Sequence, residues 1–106
     1  MGNQETLTRL REFVAAREWE QFHTPENLAK SISIESAELL ECFQWANSPD
    51  EARVREELAD VLTYAFLLAD KVGADPTHLI LEKLTITESK YPVEKAKGSS
   101  AKYDQL

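Results

Sequence analysis

Acidic residues recur at helical spacing in two stretches of this sequence. In the first, Ser33–Trp45, Glu35, Glu38 and Glu41 stand three apart; in the second, Glu56–Tyr64, Glu57 and Asp60 repeat that step and Tyr64 follows one turn on. Residues three or four apart share a face of an α-helix, so each stretch lines up carboxylates that repel one another unless a cation sits between them. Two such helices face to face would form an all-oxygen cage of Glu35, Glu38, Glu57 and Asp60. Hard divalent cations, Mg²⁺ above all, take such donors.

The position of Glu35 sharpens that reading. At about 3.6 residues per turn, Leu28, Ile32, Leu39 and Phe43 form one apolar stripe, and Glu35 falls in its middle. An ionised carboxylate is rarely buried unless it is paired or holds a metal. On the second helix the expected stripe is Val54, Leu58, Val61, Leu62, Ala65, Leu68 and Val72, with Glu57, Asp60 and Tyr64 along its flank. Glu41, Glu51 and Glu56 read more simply as solvated charges, with Arg53 and Arg55 as partners.

Four helices must position these groups. Residues 4–18 predict an amphipathic first helix with Leu7, Leu10, Phe13 and Val14 on one side. Trp19-Glu20-Gln21-Phe22-His23 breaks the pattern as a connector, serving either as a hydrophobic plug or as a wall on which a flat base stacks. Thr24-Pro25-Glu26 then starts the acid-bearing helix, with Thr24 as N-cap and Pro25 at its first position. That helix is expected to end near Trp45-Ala46-Asn47. Ser48-Pro49-Asp50-Glu51 reads as a capping box opening a third helix from Pro49 to about Val72, closed by Gly73. Asp75-Pro76 restarts a fourth helix, apolar at Leu79, Ile80, Leu84 and Ile86, which stops before Tyr91-Pro92. Residues 95–106 read as a flexible polar tail on a single helical domain of residues 1–106.

Composition narrows the function. A chain of 106 residues supports one core and gains from oligomerisation. The net charge of −7 excludes a basic nucleic-acid-binding surface, while a bound divalent ion would still reverse the local field for a nucleotide. One cysteine, Cys42, forms no internal disulfide and sits among core-like neighbours as an inert thiol. No apolar run reaches the roughly 18 residues of a membrane span, and the N-terminus lacks a signal-peptide core, so a cytoplasmic location is expected.

Other chemistries fit poorly. Glu20–His23 has the E-x-x-H spacing of di-iron bundles, but its only companion, Asp75–His78, also lies at a helix edge. Phosphate-cradling glycine loops, zinc spacings and nucleophile elbows are absent. Phosphate contacts therefore fall to metal and lysines, with Lys83 and Lys90 as candidates alongside their reading as surface charges.

Taken together, these residues resemble the MazG-like all-α nucleoside triphosphate pyrophosphohydrolases, in particular the dCTP pyrophosphatase branch. The family's E-x-x-E and E-x-x-D are matched by Glu35/Glu38 and Glu57/Asp60. Similar surroundings are W-E-Q-F-H-x-P-x-N-L at Trp19–Leu28, F-Q-W at Phe43–Trp45, E-L-A-D-V-L-x-Y at Glu57–Tyr64 and K-Y-P at Lys90–Pro92. The resemblance implies Mg²⁺-dependent hydrolysis of a (deoxy)nucleoside triphosphate, dCTP or a modified dCTP, to monophosphate and pyrophosphate. It implies metal ligation by the four acids. It also implies a nucleotide pocket lined by Trp19, Glu20, Gln21, Phe22, His23, Trp45 and Tyr64, with Lys83 on the phosphates. A four-helix-bundle-type fold completed by homo-oligomerisation, as a dimer or dimer of dimers, follows from the same likeness. Two positions depart from the branch: Leu10 replaces a histidine, and Thr87, at a substrate-facing position, replaces an asparagine. Both bear on the base rather than the metal.

In the mechanism this suggests, metal held by the acids neutralises the phosphates and activates water, while Glu38 or Glu41 takes the water's proton. The alternative from another class is a non-catalytic helical oligomerisation or regulatory module, which predicts no stabilisation by Mg²⁺.

Overall fold

The structure, a computed structural model, describes residues 2–45 and 47–106. Among them it is all-helical: α1 (Asn3–Ala16), a 3₁₀ turn (Glu20–Phe22), α2 (Pro25–Glu41), α3 (Glu51–Lys71), α4 (Pro76–Lys90), α5 (Val93–Ala96) and a second 3₁₀ turn (Tyr103–Gln105). The chain divides into two compact units, residues 1–75 and 76–106.

The first unit is built on the α2–α3 pair, with α1 against α3. α2 starts as local chemistry dictates: the Thr24 hydroxyl accepts from the Asn27 N–H at 3.1 Å, and Pro25 occupies the first turn. The Asn27 side chain donates to the Phe22 carbonyl at 3.0 Å and so ties the connector to the helix start. Regular helix ends at Glu41, earlier than the Trp45–Asn47 boundary expected. Turns closed by the Leu39, Leu40 and Glu41 carbonyls follow it. Ala46, within that expected boundary, lies outside the described residues.

α3 begins later than the capping box suggested. Asp50 rather than Ser48 is the N-cap, its carboxylate accepting from the Ala52 N–H at 3.0 Å. Both side chains can cap, but only Asp50 brings a negative charge to the positive end of the helix dipole. Gly73 closes α3 at φ +73°, with the Ala74 N–H on the Ala69 carbonyl at 2.9 Å. α1 ends in the same motif without glycine: Glu18 adopts φ +54°, and the Trp19 N–H reaches the Val14 carbonyl at 3.1 Å.

Leu7 and Val14, seven residues apart on α1, are buried on one face, and Val14 meets Leu28 and Leu67 with Leu10, Tyr64 and Leu68 packed around them. The buried positions on α3 are Leu67 and Ala69, whereas Leu58, Leu62 and Val72 of the expected stripe are largely exposed. Helical periodicity finds an apolar face but does not say which part of it a partner covers. Cys42 is buried, its thiol directed at the Glu38 carbonyl at 3.6 Å.

In the second unit α4 spans the expected residues. The segment expected as a tail carries local order of its own. The Tyr103 N–H donates to the Tyr91 hydroxyl at 3.1 Å, the two rings meet edge to face at 6.2 Å, and Lys90 lies 4.7 Å from the Tyr103 ring centre.

Candidate active site

Leu28 of α2 packs with Leu67 of α3, while Glu35 lies near Glu57 and Asp60. Later residues of α2 therefore meet earlier residues of α3, and the two helices run antiparallel. Seven residues are close to two full turns, so Glu35 shares a face with Leu28, and Asp60 with Leu67. The face that buries leucines at one level thus presents carboxylates at the next.

One oxygen from each of Glu35, Glu57 and Asp60 lies within 4.8 Å of the others. Glu35 and Glu57 are half-buried and Asp60 is exposed. Each of the two glutamates has an Oε2 atom shielded from solvent with no hydrogen-bond partner. Glu38 sits beside both. Its hydrogen-bonding contact, then burial, then the charges of Glu38, Asp60 and Glu57 push the Glu35 carboxyl from 4.5 up to about 7. Burial raises Glu57 as well, followed by contact with Glu38 and the nearby negative charge, which Arg53 partly offsets. Four acids held together with unpaired inner oxygens form a costly arrangement that a cation would relieve. The donors are all carboxylate oxygens, which fits a hard divalent metal.

The other expected residues are distributed as follows. Glu41 is exposed beside Leu40 and Phe43, outside the three converging acids. Trp19 packs edge to face on Phe13 at 5.6 Å. Gln21 donates to the Glu18 carbonyl at 2.9 Å, and the Phe22 ring is exposed. Trp45 takes a left-handed backbone, φ +64°, and is 95% exposed. Tyr64 supports the leucine cluster one turn beyond Asp60. Lys83 and Thr87 are one turn apart on α4, the Thr87 hydroxyl bonding the Lys83 carbonyl at 3.0 Å.

Glu20 and His23 join a cleft of about 250 Å³ floored by Leu28 and Leu67. Its wall includes an ion pair that sequence reading missed: the Arg11 guanidinium grips both oxygens of Asp70, Nε to Oδ2 at 3.0 Å and Nη2 to Oδ1. This contact holds the Asp70 carboxyl below the usual aspartate range. Arg11 and Asp70 are 59 residues apart, and neither belongs to a recognisable spacing.

Residues 30–106 match the MazG-like family model. The chain belongs to the MazG-like family. The matched segment holds α3 and the acid-bearing part of α2 in this MazG-like chain, and it begins after the Trp19–His23 connector. Human dCTP pyrophosphatase 1 is 42% identical, the alignment covering 96% of this chain and 66% of the human protein. The Bos taurus dCTP pyrophosphatase 1 is 41% identical, over 96% of this chain and 67% of its own length. The chain thus spans about two thirds of the length of these curated relatives. A crystal structure of a pyrophosphatase from Archaeoglobus fulgidus superposes with a TM-score of 0.77 at 47% identity. It covers 84% of this chain and 91% of the archaeal one.

Proposed function

We propose that this MazG-like chain hydrolyses a nucleoside triphosphate, dCTP or a modified dCTP first among them, to the monophosphate and pyrophosphate, with Mg²⁺ as its metal. The unpartnered inner oxygens of Glu35 and Glu57, converging with Asp60, carry the proposal. The names of the mammalian relatives and of the archaeal neighbour support the chemistry and the substrate.

Glu35, Glu38, Glu57 and Asp60 would hold the metal. When bound, a divalent cation supplies positive charge against the phosphates and makes nearby water more acidic. The protein's own tasks follow from its residues. Rigid helices fix Glu35 and Glu57 against each other, so the ligands need no reorganisation when substrate arrives. Glu38, wedged between them, takes the proton as the water oxygen bonds to phosphorus and pyrophosphate departs. Glu41 lies one turn further out, exposed, and would relay the proton to solvent. Trp19 and Trp45 would stack the base, and His23 and Glu20 would border it.

A homo-oligomer accords with the limited burial. Ile34, Leu40, Leu58, Leu62 and Trp45 are all more than 40% exposed, more large apolar surface than a small chain ordinarily leaves in water. No helix among the described residues is long and apolar enough to cross a membrane. A single cysteine fits a reducing compartment, and we propose the cytoplasm.

The test is pyrophosphate release from a panel of NTPs, dNTPs and 5-substituted dCTPs, with Mg²⁺ and with EDTA. Release that requires Mg²⁺ and favours dCTP-type substrates is expected. No release from any nucleotide would leave the helical oligomerisation module as the better account.

A further inference from the structure

Trp19, Glu20 and His23, three of the residues assigned to the base, belong to the connector, whereas Glu35 and Glu38 stand further along α2. From Asn27 to Glu35 is eight residues, about 12 Å at 1.5 Å per residue. A nucleotide that spans both segments needs the connector at a fixed place on α2. Most of the connector's contacts lead elsewhere. The Trp19 N–H reaches the Val14 carbonyl at 3.1 Å and the Trp19 ring meets Phe13, both on α1. The Phe22 and His23 N–H groups donate within the connector, to the Trp19 and Glu20 carbonyls at 2.9 and 3.1 Å. The Gln21 amide turns back to the Glu18 carbonyl at 2.9 Å. Among the described residues, one hydrogen bond joins the connector to α2: Asn27 Nδ2 donates to the Phe22 carbonyl at 3.0 Å.

Resting on the function proposed above, we propose that Asn27 is a positioning residue for the substrate, its amide setting where the connector stands relative to the carboxylates of α2. The backbone that carries this amide is fixed. Leu28, the next residue, is buried in the leucine cluster, and the Asn27 N–H donates to the Thr24 hydroxyl that caps the helix. A backbone carbonyl only accepts, so its partner must donate, and the asparagine amide nitrogen does so. An ionised aspartate of the same size would present only acceptors. Phe22 and Asn27 are both exposed, so water replaces the lost bond at small cost in stability. Water does not hold the connector in place, and a displacement of about 1 Å can cost about 100-fold in rate. One residue thus serves the helix start through its backbone and the connector through its side chain.

The test measures KM and kcat for the best substrate of the nucleotide panel in wild type, Asn27→Ala and Asn27→Asp, with thermal melting of each in EDTA and in Mg²⁺. Asn27→Ala removes the donor without adding charge. Asn27→Asp removes it while placing a negative charge in the first turn of α2, where the helix dipole favours one, so it should melt no lower than wild type. We expect KM to rise about three- to tenfold in both, the factor to which one hydrogen bond corresponds, with kcat changed by less than about twofold. The rise in melting temperature on adding Mg²⁺ should match that of wild type, since no metal-holding carboxylate is altered. An unchanged KM in either folded variant, or a KM that rises only where the melting temperature falls, would overturn the assignment and leave the hydrolysis standing. Loss of the Mg²⁺ response would overturn it too, by placing the effect at the metal. A wild type that releases pyrophosphate from no nucleotide would overturn both the assignment and the function on which it rests.

Discussion

Glu35 and Glu57 face each other across the α2–α3 pair, each with one carboxylate oxygen shielded from water and unpartnered. Neither helix gains stability from this; a bound cation would account for the arrangement. Without a cation the two carboxylates, with Glu38 and Asp60, oppose the packing that brings them together.

Removing one of these charges should therefore stabilise the metal-free protein while destroying activity. In EDTA, Glu57→Gln should melt at a higher temperature than the wild type, because one of the mutually repelling charges is gone. With Mg²⁺ its turnover should fall about 100-fold or more. Calorimetry beside pyrophosphate release checks both. A variant that melts lower in EDTA would mean the acids are held by partners other than a metal.

The pH dependence has a defined sign. The folded-state carboxyl of Glu35 is raised to about 7 from 4.5, so the folded protein binds more protons than the unfolded chain between those values. Metal-free stability should then be greatest below about pH 4.5, decline as pH rises towards 7, and level off above it. Asp70 acts oppositely and lower on the scale. Its folded pKa is depressed from 3.8, so its contribution is present above that value and lost as pH falls through the folded one. Melting curves in EDTA across pH 3–8 test the pattern, and saturating Mg²⁺ should flatten the upper limb.

Glu18 occupies a backbone conformation that favours glycine, φ +54°, at the close of α1. Glu18→Gly should stabilise by about 1 kcal/mol, read as a higher urea midpoint at unchanged slope. At the equivalent position after α3, Gly73→Ala should cost a similar amount, since φ there is +73°. Equal midpoints for Glu18→Gly and wild type would show that the side chain of Glu18 repays its strain.

Trp19→Ala should raise KM several-fold with kcat less affected if the indole stacks on the base. Its edge contact with Phe13 predicts in addition a modest loss of stability, about 1 kcal/mol. Loss of stability without any change in KM would assign the connector to plugging the first unit.

How far these features could be read from the sequence depended on how local the physics is. The caps at Thr24 and Gly73 are decided within a few residues, and both are where the sequence places them. At the start of α3, Ser48 and Asp50 compete within one turn, and pattern alone favours the wrong one. Glu35 stands out because a carboxylate in an apolar stripe contradicts its surroundings. The Arg11–Asp70 pair has no such signature, since it exists only once α1 is laid against α3. Leu58 and Leu62 have the spacing of a core face, yet burial depends on what covers that face.

The three converging carboxylates all lie on α2 and α3, consecutive helices joined by residues 42–50. Contacts so near in sequence form early in folding. The electrostatic penalty of gathering the acids is then met on the way up the barrier, before much of the remaining packing can offset it. Divalent cations should therefore accelerate refolding as well as slow unfolding, and the metal would act as a nucleating agent for the hairpin it later occupies.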